Sequence, residues 1–125
     1  MSASGLSSAT LARFERVLRQ RRELDAEEAS TLAASMGDVL SARADSQADD
    51  EHDPEGPTLS FEWSRLDAVQ REAASDLNAV DAALARLAEG TFGVCRRCGR
   101  PIGIDRLNAR PTADLCIECA RSVGA

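Results

Sequence analysis

Two C-x2-C pairs, Cys95 with Cys98 and Cys116 with Cys119, constrain this chain more than anything else in it, and seventeen residues separate them. A C-x2-C places two thiolates on one tight turn, so both can reach a single ion. Two such turns complete a tetrahedral shell for Zn²⁺. With sulfur in all four positions, none is left for water or a substrate. The spacing therefore predicts one structural zinc per chain, held by Cys95, Cys98, Cys116 and Cys119. A secreted disulfide scaffold would need an export signal, and residues 1–10 have neither a basic start nor an apolar run. A redox C-x2-C usually stands singly near a βαβ pattern, which this chain lacks. Thiols kept reduced for metal point to a cytoplasmic protein. No stretch approaches the length of a membrane span.

The rest of the chain is poor in large side chains. Its aromatics are Phe14, Phe61, Trp63 and Phe92, too few for a large globular core. Alanine, leucine, arginine and glutamate dominate, which suits long paired helices. The net charge of −6 argues against a protein that coats DNA by general electrostatics. The charge is also unevenly placed. Residues 45–55 hold six acids (Asp45, Asp49, Asp50, Glu51, Asp53 and Glu55) and no arginine, whereas Arg96, Arg97, Arg100, Arg106, Arg110 and Arg121 surround the cysteines.

Residues 1–9 are small and polar and read as a flexible end. Ser7, Ser8 or Thr10 can cap a helix there. Its apolar stripe is Leu11, Phe14 and Leu18, then, after the charged run 19–23, Leu24, Leu32, Met36, Val39 and Leu40. The acidic stretch ends in Asp53-Pro54-Glu55-Gly56-Pro57, which favours a turn. Thr58 or Ser60 can cap a second helix, whose periodicity is the clearest in the chain. Leu59, Leu66, Ala73, Val80 and Leu87 recur every seven residues, and Trp63, Gln70, Leu77 and Leu84 form the second series of a heptad seam. One such helix cannot bury its seam alone. The short connection predicts an intramolecular antiparallel hairpin and a monomer; pairing between two chains is the alternative. The predicted fold is mostly α: a flexible end over 1–9, an antiparallel two-helix coiled-coil hairpin over 10–89 with an acidic tip at about 45–57, and a small four-cysteine zinc-binding module over 90–125.

Read together, Gly-Thr-Phe-Gly-Val-Cys-Arg-Arg-Cys-Gly (90–99), Ile-Gly-Ile-Asp-Arg-Leu-Asn-Ala-Arg-Pro-Thr-Ala-Asp-Leu-Cys-Ile-Glu-Cys (102–119) and the hairpin resemble the DksA/TraR family. The resemblance implies a transcription regulator that binds bacterial RNA polymerase without reading DNA sequence. It implies a hairpin that enters the secondary channel, with acids at its tip near the catalytic centre, and an effect on promoter-complex lifetime. In this chain the tip acids are Asp49, Asp50, Glu51, Asp53 and Glu55. Asp53-Pro54 matches the family's Asp-Pro, but Gly56, Pro57 and Thr58 replace its following Asp-Arg-Ala. The family often acts with guanosine tetraphosphate. Of its basic contact positions Arg110 matches, while Ala79 and Ala120 stand where lysines are expected. The expectation is that this chain does not share the nucleotide response.

Two other functions compete. A zinc module binding nucleic acid directly has support in the arginines near the metal, yet Phe92 is the only aromatic there for base stacking. An enzyme finds none: His52, the single histidine, lies in the acidic segment, and no nucleophile motif or phosphate loop accompanies it.

Overall fold

The computed structural model describes the backbone of residues 3–49 and 56–124, and the side chains of 3–45 and 59–124. Four helices follow in chain order: α1 Ser8–Asp49, α2 Gly56–Glu89, α3 Ile104–Ala109 and α4 Ile117–Ser122. No strand occurs among the described residues. Val94 and Pro101 form one isolated antiparallel bridge. No described helix is long and apolar enough to cross a membrane.

Each long helix has a legible start or stop. Ser7 caps α1, its Oγ accepting the N–H of Thr10 at 3.1 Å while its carbonyl takes the first helical bond from Leu11 at 2.9 Å. Expected at Thr58 or Ser60, α2 begins earlier, at Gly56. Pro57 is tolerated in the first turn because a helix gives the N–H there no partner and the ring pre-sets φ. At its other end Gly90 adopts φ 81°. Gly90 N–H then bonds to Leu87 carbonyl at 3.4 Å and Thr91 N–H to Arg86 carbonyl at 2.9 Å, a Schellman stop.

The chain forms two compact units. The first joins Met1–Glu23 to Asn78–Ala125. Its core unites Phe14 and Leu18 of α1, Val80 and Ala83 of α2, and Phe92, Cys95, Ile102, Leu107 and Ala113 of the C-terminal segment. Arg22 pairs with Asp81 at 2.6 Å, while Ser8, Leu11 and Ala12 share a depression with Leu84, Leu87 and Ala88, so the two helices run antiparallel here. Ala83, outside the predicted heptad series, is fully buried because it joins the cluster that the C-terminal segment completes. The expected free end behaves differently from its composition. Ser4 is buried, its Oγ accepts the Leu6 N–H at 3.2 Å, and Leu6 packs on the core.

The second unit is Leu24–Leu77. Met36, Val39 and Leu66 are buried together, with Leu32 and Trp63 against them. Val39 and Ala42 line one depression with Leu59 and Glu62, while Leu32 and Met36 pack with Trp63 and Leu66, which again sets α1 antiparallel to α2. Along α2 the series Leu59, Leu66, Ala73 and Val80 is buried throughout, and Trp63, Gln70, Leu77 and Leu84 are half-buried. Two residues of the expected α1 stripe are corrected: Leu24 is 61% exposed and Leu40 51%. Consecutive helical residues point about 100° apart, so Leu40 turns outward once Val39 faces in.

Candidate metal centre

The first thiol pair sits on a loop tied by several backbone hydrogen bonds. Cys95 N–H donates to Arg100 carbonyl at 2.8 Å, Gly99 N–H to Cys95 carbonyl at 2.9 Å, and Ile102 N–H to Gly93 carbonyl at 2.8 Å. Gly93 and Gly99 take φ of 83° and 75°, the left-handed region that lets the chain reverse within so few residues. The second pair opens α4. Cys116 is its N-cap residue, and the Cys116 Sγ accepts the N–H of Cys119 at 3.5 Å. Asp114 ties the two loops together: its carbonyl accepts Arg96 N–H at 3.0 Å, and its Oδ2 lies 2.8 Å from Arg96 Nε.

This scaffold brings all four predicted cysteines together, with every Sγ within 4.8 Å of the others. A tetrahedral ion about 2.3 Å from each sulfur requires S···S edges of about 3.8 Å. Cys98 and Cys116 already stand at 3.8 Å. That is nearly twice a disulfide bond of about 2.05 Å, and all four cysteines are free. The donor set and its spacing fit one tetrahedral, thiophilic ion.

The thiols polarise one another. Burial pushes Cys95 up, but backbone N–H groups of Cys98, Cys116 and Arg97 and the Cys98 thiol outweigh it, holding Cys95 down at about 6. Cys119 is pushed up to about 12 by its hydrogen bond with Cys116, by burial and by the remaining sulfurs. Without a cation the cage thus holds thiolate and thiol side by side. A divalent ion would favour four thiolates over that mixed protonation.

The other predicted site residues are not part of this cage. Arg110 is exposed just beyond α3, its N–H donating to Arg106 carbonyl at 2.7 Å. Asp49 ends α1, and its side chain, with Asp50, Glu51, Asp53 and Glu55, lies outside the described residues. Sequence reasoning missed two arginines that fasten the loop between the thiol pairs. Arg106 Nε donates to Leu115 carbonyl at 2.8 Å, and Arg86 Nη2 to Thr112 carbonyl at 3.3 Å. Burial lowers the Arg86 pKa despite Asp114 nearby. No motif marks either residue, because each is defined by an acceptor distant in sequence or inside an irregular loop.

Two long helices and a four-thiol cluster on hydrogen-bonded loops define a helical protein of the four-cysteine zinc-finger class. The model of the prokaryotic dksA/traR C4-type zinc finger matches residues 90–123. The RNA polymerase-binding transcription factor DksA of Haemophilus influenzae is 36% identical over 107 residues, covering 85% of this chain and 68% of that protein. The factor of the same name from Escherichia coli K12 is 33% identical over 115 residues, 91% of this chain and 71% of that protein. The chain belongs to the DksA/TraR family. Its fold is also that of the transcription factor DksA2 from Pseudomonas aeruginosa, with a TM-score of 0.81 at 24% identity over 99% of this chain and 90% of that one.

Proposed function

We propose that this protein binds bacterial RNA polymerase and modulates transcription initiation by inserting the acidic segment between α1 and α2 into the secondary channel. One observation carries the reading: similarity over 85% and 91% of the chain to relatives named for polymerase binding. The charge distribution supports it, since the six acids of residues 45–55 contain no arginine among them. Carboxylates in such a segment suit a channel with cationic walls and a catalytic Mg²⁺. Water exclusion in the channel strengthens those interactions by lowering the local dielectric.

The protein acts as a cytoplasmic monomer and catalyses no reaction itself. Cys95, Cys98, Cys116 and Cys119 hold one Zn²⁺, which supplies the cross-link that residues 90–124 need, since their apolar anchors are few. Arg110 contributes to the polymerase-facing surface. Guanosine tetraphosphate is not an effector, because Ala79 and Ala120 replace the expected lysines and Ala120 is buried in packing.

The test measures promoter-complex lifetime with purified polymerase and zinc-loaded protein. Asp53→Asn, which keeps size and removes charge at the Asp-Pro position, should reduce the effect while polymerase affinity largely persists. Neutralising Asp49, Asp50, Glu51, Asp53 and Glu55 together should abolish it. An unchanged lifetime with the five-site variant, where the unmutated protein has a clear effect, would sink the channel mechanism. Failure to retain core polymerase in a pull-down would sink the whole reading.

A further inference from the structure

Asp25 stands where the seam of α1 calls for an apolar side chain. Leu18, Asp25, Leu32 and Val39 recur every seven residues. Leu18 and Val39 are buried, and Leu32 packs on the cluster of Met36, Val39 and Leu66. Asp25 is half-buried, and its Oδ2 is shielded from solvent with no hydrogen-bond partner among the described residues. An unpaired buried oxygen weakens the layer that holds it, whereas an apolar side chain of similar size would strengthen that layer.

The rest of Leu24–Leu77 does little to compensate. Leu24, Leu40 and Phe61 are exposed, so these large apolar side chains stay outside its core. Gln70 takes a seam position on α2. Gly37 is the one glycine in the interior of a long helix, and a methyl there would meet nothing within 4 Å, so no packing requires it. Among the described residues the ion pairs of this unit, Arg65 with Glu62 and Arg71 with Asp67, both lie within α2 and tie no helix to another. The unit made of Met1–Glu23 and Asn78–Ala125 is the opposite case. It has a cluster that runs from Phe14 to Ala113, the Arg22–Asp81 pair between helices, and the thiol cage.

We infer that Leu24–Leu77 opens as one cooperative unit while the metal-bearing unit stays folded, with Asp25 as the weak layer that sets how often. Opening equilibria differ within one chain where buried apolar area and cross-links differ. The acidic segment between α1 and α2 belongs to the unit that opens. It is therefore presented on the less stable half of the protein, and its geometry depends on a local folding equilibrium. The opening is a property of the free protein; only its suppression by RNA polymerase rests on the polymerase reading.

Hydrogen exchange of the full-length, zinc-loaded protein, read by mass spectrometry, tests this. Amides of residues 26–45 and 60–75 should share one low protection, at least about tenfold below that of 11–22 and 79–88. Asp25→Leu should raise protection throughout the unit by about tenfold, since the unpaired oxygen is gone. Gly37→Ala should raise it about two- to fivefold, as expected for a glycine removed from a helix interior. Residues 11–22 and 79–88 should be unchanged in both variants. Saturating core RNA polymerase should also raise protection across 26–45 and 60–75. Equal protection in the two units, a gain confined to the turn around the substituted residue, or a gain shared by both units would overturn the cooperative opening. If the variants behave as expected but bound polymerase leaves the unit as exchangeable as before, the opening stands and insertion into the channel fails instead.

Discussion

The rings of Phe14 in α1 and Phe92, three residues beyond the end of α2, lie with centroids 5.4 Å apart and planes inclined at 47°. Both are almost wholly buried. The contact joins the start of the chain to the loop that carries the first thiol pair. Arg13 stacks over the outer side of Phe14 at 4.5 Å and reaches Asn108 Oδ1 at 3.1 Å, closing the same corner.

Phe92→Ala should therefore destabilise the protein by about 3–5 kcal/mol, the usual effect of truncating a buried aromatic. Chemical denaturation followed by circular dichroism measures it. A change below about 1 kcal/mol would mean that the corner relaxes into the space left behind.

Gly93 separates strain from crowding. An added methyl would meet Leu6 Cδ1 and Ser4 Cβ at 3.0 Å, on a backbone with φ 83°; at Gly99, φ 75°, it would meet nothing within 4 Å. Gly99→Ala should cost about 1–2 kcal/mol, the left-handed penalty alone. Gly93→Ala should cost about 2–5 kcal/mol, because overpacking of about 1–3 kcal/mol adds to the strain. Deleting residues 1–6 from the Gly93→Ala protein should remove the crowding part of that difference.

Metal retention should depend on pH with a definite sign. Cys95, held down at about 6, is already ionised above that pH, whereas Cys119, pushed up to about 12, gives up its proton only when the ion binds. Binding near pH 7.5 should thus release protons. As pH falls through about 6, Cys95 gains a proton that the metal must also displace, so affinity should fall more steeply below that point. Competition with a chromogenic chelator between pH 5.5 and 8 reads this directly. Cys116→Ser should lose the metal and loosen residues 90–124, while most helical signal survives.

Two leucines of the same expected pattern should behave oppositely. Leu66→Ala, at a buried position, should cost about 2–5 kcal/mol. Leu24→Ala, at a position 61% exposed, should stay within about 0.5 kcal/mol. Equal effects would mean that Leu24 is covered in solution.

The legible parts of this protein are those governed by local geometry. A C-x2-C is a statement about one turn, so the cage of Cys95, Cys98, Cys116 and Cys119 could be read before any coordinates. The seven-residue recurrence from Leu59 to Val80 is a statement about one helix face, and that face is buried along its length. Gly90 marks a helix stop because only a residue without Cβ takes φ 81° without strain. The α1 stripe was less legible, since adjacent valine and leucine at 39 and 40 leave the inward direction undetermined until a partner helix selects it. Beyond the pairing of the two long helices, coverage across the chain was not legible. Ser4 and Leu6 look like parts of a polar tail, and only folding sets them beside Gly93. Ala83 is buried because residues 92–113 complete its cluster, and Arg96 is oriented by Asp114, eighteen residues away. Sequence periodicity specifies which side chains share a face. Which face covers which is decided by tertiary packing, where apolar area is buried jointly by residues that have no local relation.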